Sequence, residues 1–164
     1  MTGITRGCRV KAGRRARCGA VLLAACFIAA AGEARSAGCF SPAEIEADQA
    51  LHYVTRLMVV GDACRSATYS RFLERNSEAV ALYRDAMERH FQRSGDGSAG
   101  FDRYVTGLAN DEGRAIGRQS AAVLCTAAAS DMLAAADLLG PGDLRRLARA
   151  RAAAQQTQYR RCPD

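Results

Sequence analysis

Four cysteines spread along residues 39–164 constrain the fold of this chain more than any other feature of its sequence. They are Cys39, Cys64, Cys125 and Cys162, and the other three of the seven cysteines lie within the first 26 residues. Their spacings exclude a CxxC redox motif, a CxxCH haem site and paired CxxC zinc sites. An even number of widely spaced cysteines is typical of disulfides formed in an oxidising compartment, so we expect two disulfides.

The first 38 residues have the pattern of a secretory signal peptide. Residues 1–19 contain six basic residues and no acid, and residues 20–32 form an apolar run that is too short for a membrane-spanning helix of about 20 residues. Four of the five residues at 34–38 are small (Ala34, Ser36, Ala37 and Gly38), and we place the cleavage site within this segment. The alternative is an uncleaved anchor with its basic end held in the cytoplasm. We therefore expect a secreted or periplasmic protein whose residues 39–164 form one domain.

Small residues before Cys39 offer a second interpretation of this cysteine, as a bacterial lipidation site. Such a site normally adjoins the apolar run, whereas Glu33 and Arg35 intervene here. Lipidation would also leave three cysteines, one of them without a partner. We therefore favour a disulfide over a lipid anchor at Cys39.

The distribution of charge argues against a nucleic-acid partner. The whole chain has a formal net charge of +6, with 23 Lys and Arg against 17 Asp and Glu. Seven of those basic residues and one acid lie in residues 1–38, which leaves 23 − 7 = 16 basic and 17 − 1 = 16 acidic residues in 39–164. A domain without excess positive charge lacks the field that attracts phosphate backbones.

Hydrophobic periodicity predicts an all-α domain, a bundle of about four helices joined by the two disulfides. Ser41-Pro42-Ala43-Glu44 has the form of a capping box and starts the first helix. Glycines at 113 and 117 indicate a break or kink in the third segment, and Asp143 is the expected cap of the last. The expected helices cover residues 41–63, 68–93, 101–138 and 143–159.

Helix lengths favour one pairing of the cysteines. At 1.5 Å per residue, the second helix rises about 40 Å and residues 100–125 descend about 38 Å, which returns Cys125 to the level of Cys64. Because a disulfide needs Cα atoms within about 7 Å, we expect Cys64 to pair with Cys125, and Cys39 with Cys162 by elimination. A reversal of the chain at the glycines would instead favour Cys39 with Cys125.

Motifs of catalysis are missing from residues 39–164. The sequence contains no G-x-S-x-G, no H-E-x-x-H and no glycine-rich loop that ends in lysine. A G-x-G-x-x-G string at residues 95–100 follows a predicted helix instead of a strand, so we interpret it as a turn between helices. We predict a non-enzymatic protein without a cofactor.

Two groups of residues are candidates for a binding site. Arg145, Arg146 and Arg149 follow the outer side of the last helix and would suit another extracytoplasmic protein. The alternative is a metal or small-ligand site that uses His52 or His90, although the sequence supplies no third ligand for a metal. The sequence favours the first, a protein-binding or structural module.

Several polar residues have expected positions in the helices. The periodicity of the first helix places its polar side away from the core, and we expect His90 at the edge of the apolar stripe of the second helix. Asn76 falls on that stripe and is expected to be a buried, hydrogen-bonded amide. The residues assigned to the polar side of the first helix are Asp48, Gln49, His52 and Arg56.

Overall fold

The computed structural model describes residues 38–163, so the predicted signal peptide lies outside the described residues apart from Gly38. The described chain is all-α, as expected, but it has six α-helices and one 3-10 helix in place of about four helices. None of the described helices has both the length and the apolar character needed to cross a membrane. The helices are α1 Pro42–Ala63, α2 Thr68–Ser94, α3 Gly97–Gly117, α4 Ala121–Leu124, α5 Ala127–Leu138 and α6 Pro141–Gln155, followed by the 3-10 helix Gln156–Gln158.

Helix α1 begins at the predicted capping box and forms the centre of the fold. The Ser41 hydroxyl accepts from the Glu44 amide at 3.3 Å, and the Ser41 amide donates to the Glu44 carboxylate at 2.9 Å. These bonds satisfy amide donors that the first turn of a helix leaves unpaired. Helices α2, α3, α5 and α6 all pack against α1, which is why most of its side chains are buried.

The core consists of two clusters that share α1 and α2. One joins them to α5 and α6, and the other joins them to α3. Large side chains fill both, so truncation of any one to alanine removes about 2–5 kcal/mol of stability. The most buried of these side chains are Leu57, Phe72, Met87 and Leu144.

The third expected helix, over residues 101–138, is divided into three in the structure. Helix α3 ends at Gly117, and α4 begins after Ser120, whose hydroxyl accepts from the Val123 amide at 3.3 Å. The Thr126 hydroxyl then donates to the Val123 carbonyl at 2.5 Å, where α4 has ended. Glycine weakens a helix, and serine and threonine offer the backbone these alternative bonds, so the segment breaks here instead of bending.

The glycines of the G-x-G-x-x-G string serve the turn between α2 and α3. Gly95 ends α2 with a φ of 87°, in the left-handed region that glycine adopts without strain. A Cβ on Gly100 would lie 2.4 Å from the Asp96 side chain and 3.1 Å from the Phe91 ring. Helix α3 starts inside this string, with Asp96 preceding it, and so before residue 101, where the expected helix begins.

Helix α6 starts at Pro141, and its cap residue is Gly140 in place of the expected Asp143. Pro141 occupies its first turn, and the Asp143 carboxylate accepts from the Gly140 amide at 3.1 Å. Asp143 therefore stabilises the helix start from its third position, where an acid also complements the helix dipole.

Two disulfides join the expected pairs, one favoured by helix lengths and the other expected by elimination. Cys64 and Cys125 are bonded with their Cα atoms 5.6 Å apart, and Cys39 and Cys162 are bonded with theirs 4.9 Å apart. Beside the second bond, the Phe40 amide donates to the Arg160 carbonyl at 2.8 Å. Because a sulfur in a disulfide has no free thiol to form the thioether of a lipid anchor, this bond and a lipid on Cys39 are alternatives. Two disulfides fit folding in a compartment more oxidising than the cytoplasm.

Candidate functional site

The α6 arginine surface, formed by Arg145, Arg146 and Arg149, is exposed. Arg146 forms an ion pair with Asp143 on its own helix, and Arg149 Nε lies 3.0 Å from Glu46 Oε2 on α1. Exposed pairs of this kind contribute about 0–1 kcal/mol each, so the guanidinium groups remain available to a partner. Their charge is nevertheless partly neutralised within the chain.

Glu46 connects this surface to the interior. Its carboxylate accepts a hydrogen bond from Arg149 Nε and another from the Tyr83 hydroxyl, each at 3.0 Å. Burial, followed by the neighbouring Glu46 carboxylate, raises the pKa of Tyr83 to about 12. Glu46 thus holds α2 and α6 against α1.

The two histidines occupy different surroundings, and neither belongs to a group of metal ligands. His52 is partly exposed, with Nε2 3.6 Å from Asp48 Oδ2. His90, expected at an edge, is buried with 4 % of its surface exposed, and its ring stacks on Phe40 at 4.2 Å. Its Nδ1 lies 3.6 Å from Glu44 Oε2. Residues 38–163 contain no group of three or more His, Cys, Asp or Glu side chains placed to hold a metal.

The predicted polar side of α1 is wrong at Asp48 and Gln49. They are 5 % and 7 % exposed, because α3 and the C-terminal segment cover this side of the helix. Tyr104 of α3 donates to Asp48 Oδ1 at 2.7 Å, and the Tyr159 hydroxyl donates to Asp48 Oδ2. Gln49 Nε2 in turn donates to the Tyr159 oxygen at 2.6 Å.

Within this cluster of Asp48, Gln49, Tyr104 and Tyr159, the two tyrosine hydroxyls have raised pKa values. Burial first, and then the Asp48 carboxylate, raises the pKa of Tyr104 well above its ordinary value. Burial and the bond to Asp48 raise the pKa of Tyr159 in the same direction. Both oxygens of Asp48 accept bonds from within the fold, and this arrangement ties three segments together.

Glu44 forms a second buried carboxylate site one turn earlier on α1. Burial raises its pKa, but the bonds from the Ser41 amide and hydroxyl and from the Arg93 guanidinium outweigh burial. The pKa of Glu44 therefore lies below its ordinary value. Arg93 of α2 forms the ion pair that closes this site. Glu44 is used, like Asp48, to fix neighbouring helices.

A groove of about 340 Å³ lies where α1, α4, α5 and α6 meet. Its size is at the lower end of small-molecule sites, which measure about 300–1,000 Å³. Apolar side chains form most of its wall, and the described residues that line it include no acid. The lining residues are Tyr53, Arg56, Val60, Gln119, Val123, Leu124, Ala129, Met132 and Arg151.

Arg151 gives the groove its chemical character. Its Nε is buried and has no hydrogen-bond partner in the described part of the chain. Burial raises the pKa of Tyr53, the groove's one phenol, while the charge of Arg151 acts against that rise. A buried donor without a partner is uncommon in native proteins and calls for an explanation.

Sequence reasoning did not identify the groove, since it depends on chain segments that are far apart. Arg151 belongs to the arginine-rich run of α6, which was the one signal available. Val123 and Leu124 reach the groove only because α4 breaks from α3. The neighbouring Cys125 is bonded to Cys64 at the end of α1, which holds this wall in place.

Comparisons of this chain with family models, with curated proteins and with solved structures found no match. Its functional interpretation therefore depends on the residues and geometry described above.

Proposed function

We propose that this chain is a non-enzymatic binding protein that acts outside the cytoplasm, secreted or periplasmic, and that the groove binds an apolar small molecule. The basic and apolar N-terminal sequence supports export. The two disulfides support an oxidising compartment. The groove supplies the binding site.

The observation that carries this proposal is an apolar wall open to solvent inside a disulfide-bonded frame. Val123 is 62 % exposed although it lines the groove, and Leu124 and Met132 beside it are only partly buried. Covering such surface contributes about 25 cal/mol for each Å² removed from water. A ligand in the groove would remove from water the apolar surface of Val123, Leu124 and Met132 that the fold leaves exposed.

The acidic side chains inside the fold support binding over catalysis. Asp48 accepts bonds from two tyrosines, and Glu44 is paired with Arg93. Neither carboxylate lines the groove. The groove offers shape, apolar surface and positive charge, which are the features of a binding site with a few polar groups that fix orientation.

A neutral apolar dye small enough for this groove, 1-naphthylamine, tests the proposal. We expect its fluorescence emission to shift to shorter wavelength on addition of the wild-type protein, and the shift to fall at least several-fold in Val123→Asp, which places a charge on the apolar wall. Leu138→Asp is the matched control, since Leu138 is 84 % exposed and lies outside the groove. Circular dichroism checks that both variants fold.

No shift of the dye emission with the wild-type protein would contradict the proposal. Equal losses in Val123→Asp and Leu138→Asp would also contradict it, because the dye would then report exposed apolar surface in general.

A protein partner on the α6 arginine surface is the second candidate function, favoured by the exposure of Arg145, Arg146 and Arg149. Reversal of all three to Glu should abolish capture of a specific extracytoplasmic partner in a pull-down. The control variant reverses the charge of three exposed arginines on α2 and α3 and should leave capture of the partner unchanged. These arginines are Arg89, Arg103 and Arg114. If the partner is still captured after the three α6 arginines are changed to Glu, this surface does not bind it.

A further inference from the structure

The guanidinium of Arg151 is placed in the groove without a counter-charge. None of the ion pairs among the described residues includes Arg151 or Arg56, the second arginine that lines the groove. Arg151 is half-buried, and its enclosed Nε has no hydrogen-bond partner among the described residues. A buried donor without a partner loses its hydration without compensation. The positive charge of the groove is therefore unmatched within this part of the chain.

The polar groups of the groove are suited to an acceptor. Arg56 and Arg151 bring only donors, and Tyr53 and Gln119 add a hydroxyl and an amide that donate as well. Guanidinium groups bind planar carboxylates through two parallel N–H···O bonds, a geometry that a lysine could not provide. The apolar wall beside them contains Val60, Leu124 and Met132.

We propose that the ligand of the groove is an apolar monocarboxylate, with its carboxylate on Arg151 and Arg56 and its hydrocarbon part against Val60, Leu124 and Met132. This inference rests on the proposed function, because it names the class of molecule that the same groove binds. At about 30 Å³ for each water-sized atom, 340 Å³ holds on the order of 11 non-hydrogen atoms. Decanoate, an aliphatic acid of this size, is a suitable probe.

The first test compares head groups on one hydrocarbon chain with the wild-type protein. Decanoate, decanol, decyl phosphate and decyltrimethylammonium are titrated by calorimetry, or against the naphthylamine dye. We expect decanoate to bind about tenfold or more tightly than decanol, as a charge-assisted hydrogen bond implies, and the ammonium to bind least. Equal affinity for decanoate and decanol, or tighter binding of the phosphate than of the carboxylate, would overturn the inference.

The second test removes the guanidinium. In Arg151→Met, we expect the affinity for decanoate to fall about tenfold while the affinity for decanol stays unchanged. Arg89→Met is the matched control, since Arg89 is exposed on α2 and does not line the groove. Should Arg151→Met fail to fold by circular dichroism, Arg56→Met at an exposed position makes the same test. Unchanged decanoate binding in the folded variants would refute the role of the arginines.

The two proposals fail in different ways. If the dye does not bind the wild-type protein and none of the decyl compounds binds, the groove is not a binding site and the proposed function is wrong. If the dye binds and Val123→Asp blocks it, but decanoate and decanol bind equally, only the inference about the carboxylate is wrong.

Discussion

The bond between Asp48 and Tyr104 offers the sharpest test of how α1 and α3 are held together. Removal of the Tyr104 hydroxyl in Tyr104→Phe keeps the ring and deletes one donor to a buried carboxylate. Removal of the carboxylate in Asp48→Ala leaves the Tyr104 hydroxyl without its acceptor, 2.7 Å away in the native protein. The two changes made together delete both groups.

The expected magnitudes follow from the burial of this pair. A hydrogen bond to a charged group contributes about 1.5–3 kcal/mol, so Tyr104→Phe should lower the free energy of unfolding by about 2 kcal/mol. Asp48→Ala should lower it by about 3–5 kcal/mol, because the bonds from Tyr104 and Tyr159 are both lost and a buried donor is stranded. In the Asp48→Ala background, Tyr104→Phe removes that stranded donor and should cost about nothing.

Urea unfolding of the oxidised protein, followed by circular dichroism, measures all four free energies in one double-mutant cycle. The coupling between the two sites is expected to be about 1.5 kcal/mol or more. Tyr69→Phe is the control, since Tyr69 is a partly buried tyrosine of the other core cluster. Losses that add within about 0.5 kcal/mol would refute the conclusion that this pair joins the helices.

Three further outcomes are expected. Serine at Cys64 and Cys125 should lower the free energy of unfolding by about 4 kcal/mol in the chain-entropy model, and an unchanged urea midpoint would contradict this. Asn76→Ala should lower it by about 1–3 kcal/mol, since the buried Asn76 amide donates to the Leu139 carbonyl at 3.0 Å; calorimetric melting measures the loss. Because the pKa of Glu44 is lowered, its contribution is complete above its ordinary value of 4.5 and is lost as the pH falls through its folded pKa. Glu44→Gln should therefore flatten the acid side of a plot of urea midpoint against pH, and a slope equal to that of the wild type would show that Glu44 is not responsible.

The first two helices were predictable because local rules determine them. The capping box acts between residues three apart, and the apolar stripes of α1 and α2 are long and regular. Their observed bounds are Pro42–Ala63 and Thr68–Ser94. They differ from the expected bounds by one residue at the start of α1 and at the end of α2, and agree at the other two ends. Helix lengths predicted the pair Cys64–Cys125, which is correct although α3 ends at Gly117, before Cys125. The pair Cys39–Cys162 was expected only by elimination.

The division of the third segment was not predictable from periodicity. Residues 121–138 are rich in alanine, and alanine fits a continuous helix and a broken one equally well. Ser120 and Thr126 form local hydrogen bonds to Val123 that compete with the helix, while the bond to Cys64 fixes the position of Cys125. Periodicity registers neither these side-chain bonds nor the disulfide.

The polar interior and the groove lay beyond the sequence for a related reason. The sequence pattern predicts Asp48 at the surface. In the structure it is covered by Tyr104 and Tyr159, which are 56 and 111 residues away along the chain. From the sequence, Arg151 is one of several arginines on α6, and only the structure shows that its Nε is buried. In both cases the chemical role of a residue depends on partners that only the folded chain brings near it.

The bond between Cys39 and Cys162 has a mechanical consequence. A pulling force applied through the chain before Cys39 and after Cys162 passes directly across the disulfide, since the two Cα atoms lie 4.9 Å apart. The helices between them carry none of that load and cannot be drawn out by it. Only after reduction of both disulfides would the intervening chain, with a separation of 123 residues, extend by about 400 Å under tension. The domain is thus an inextensible element of any chain that contains it, for as long as its surroundings remain oxidising.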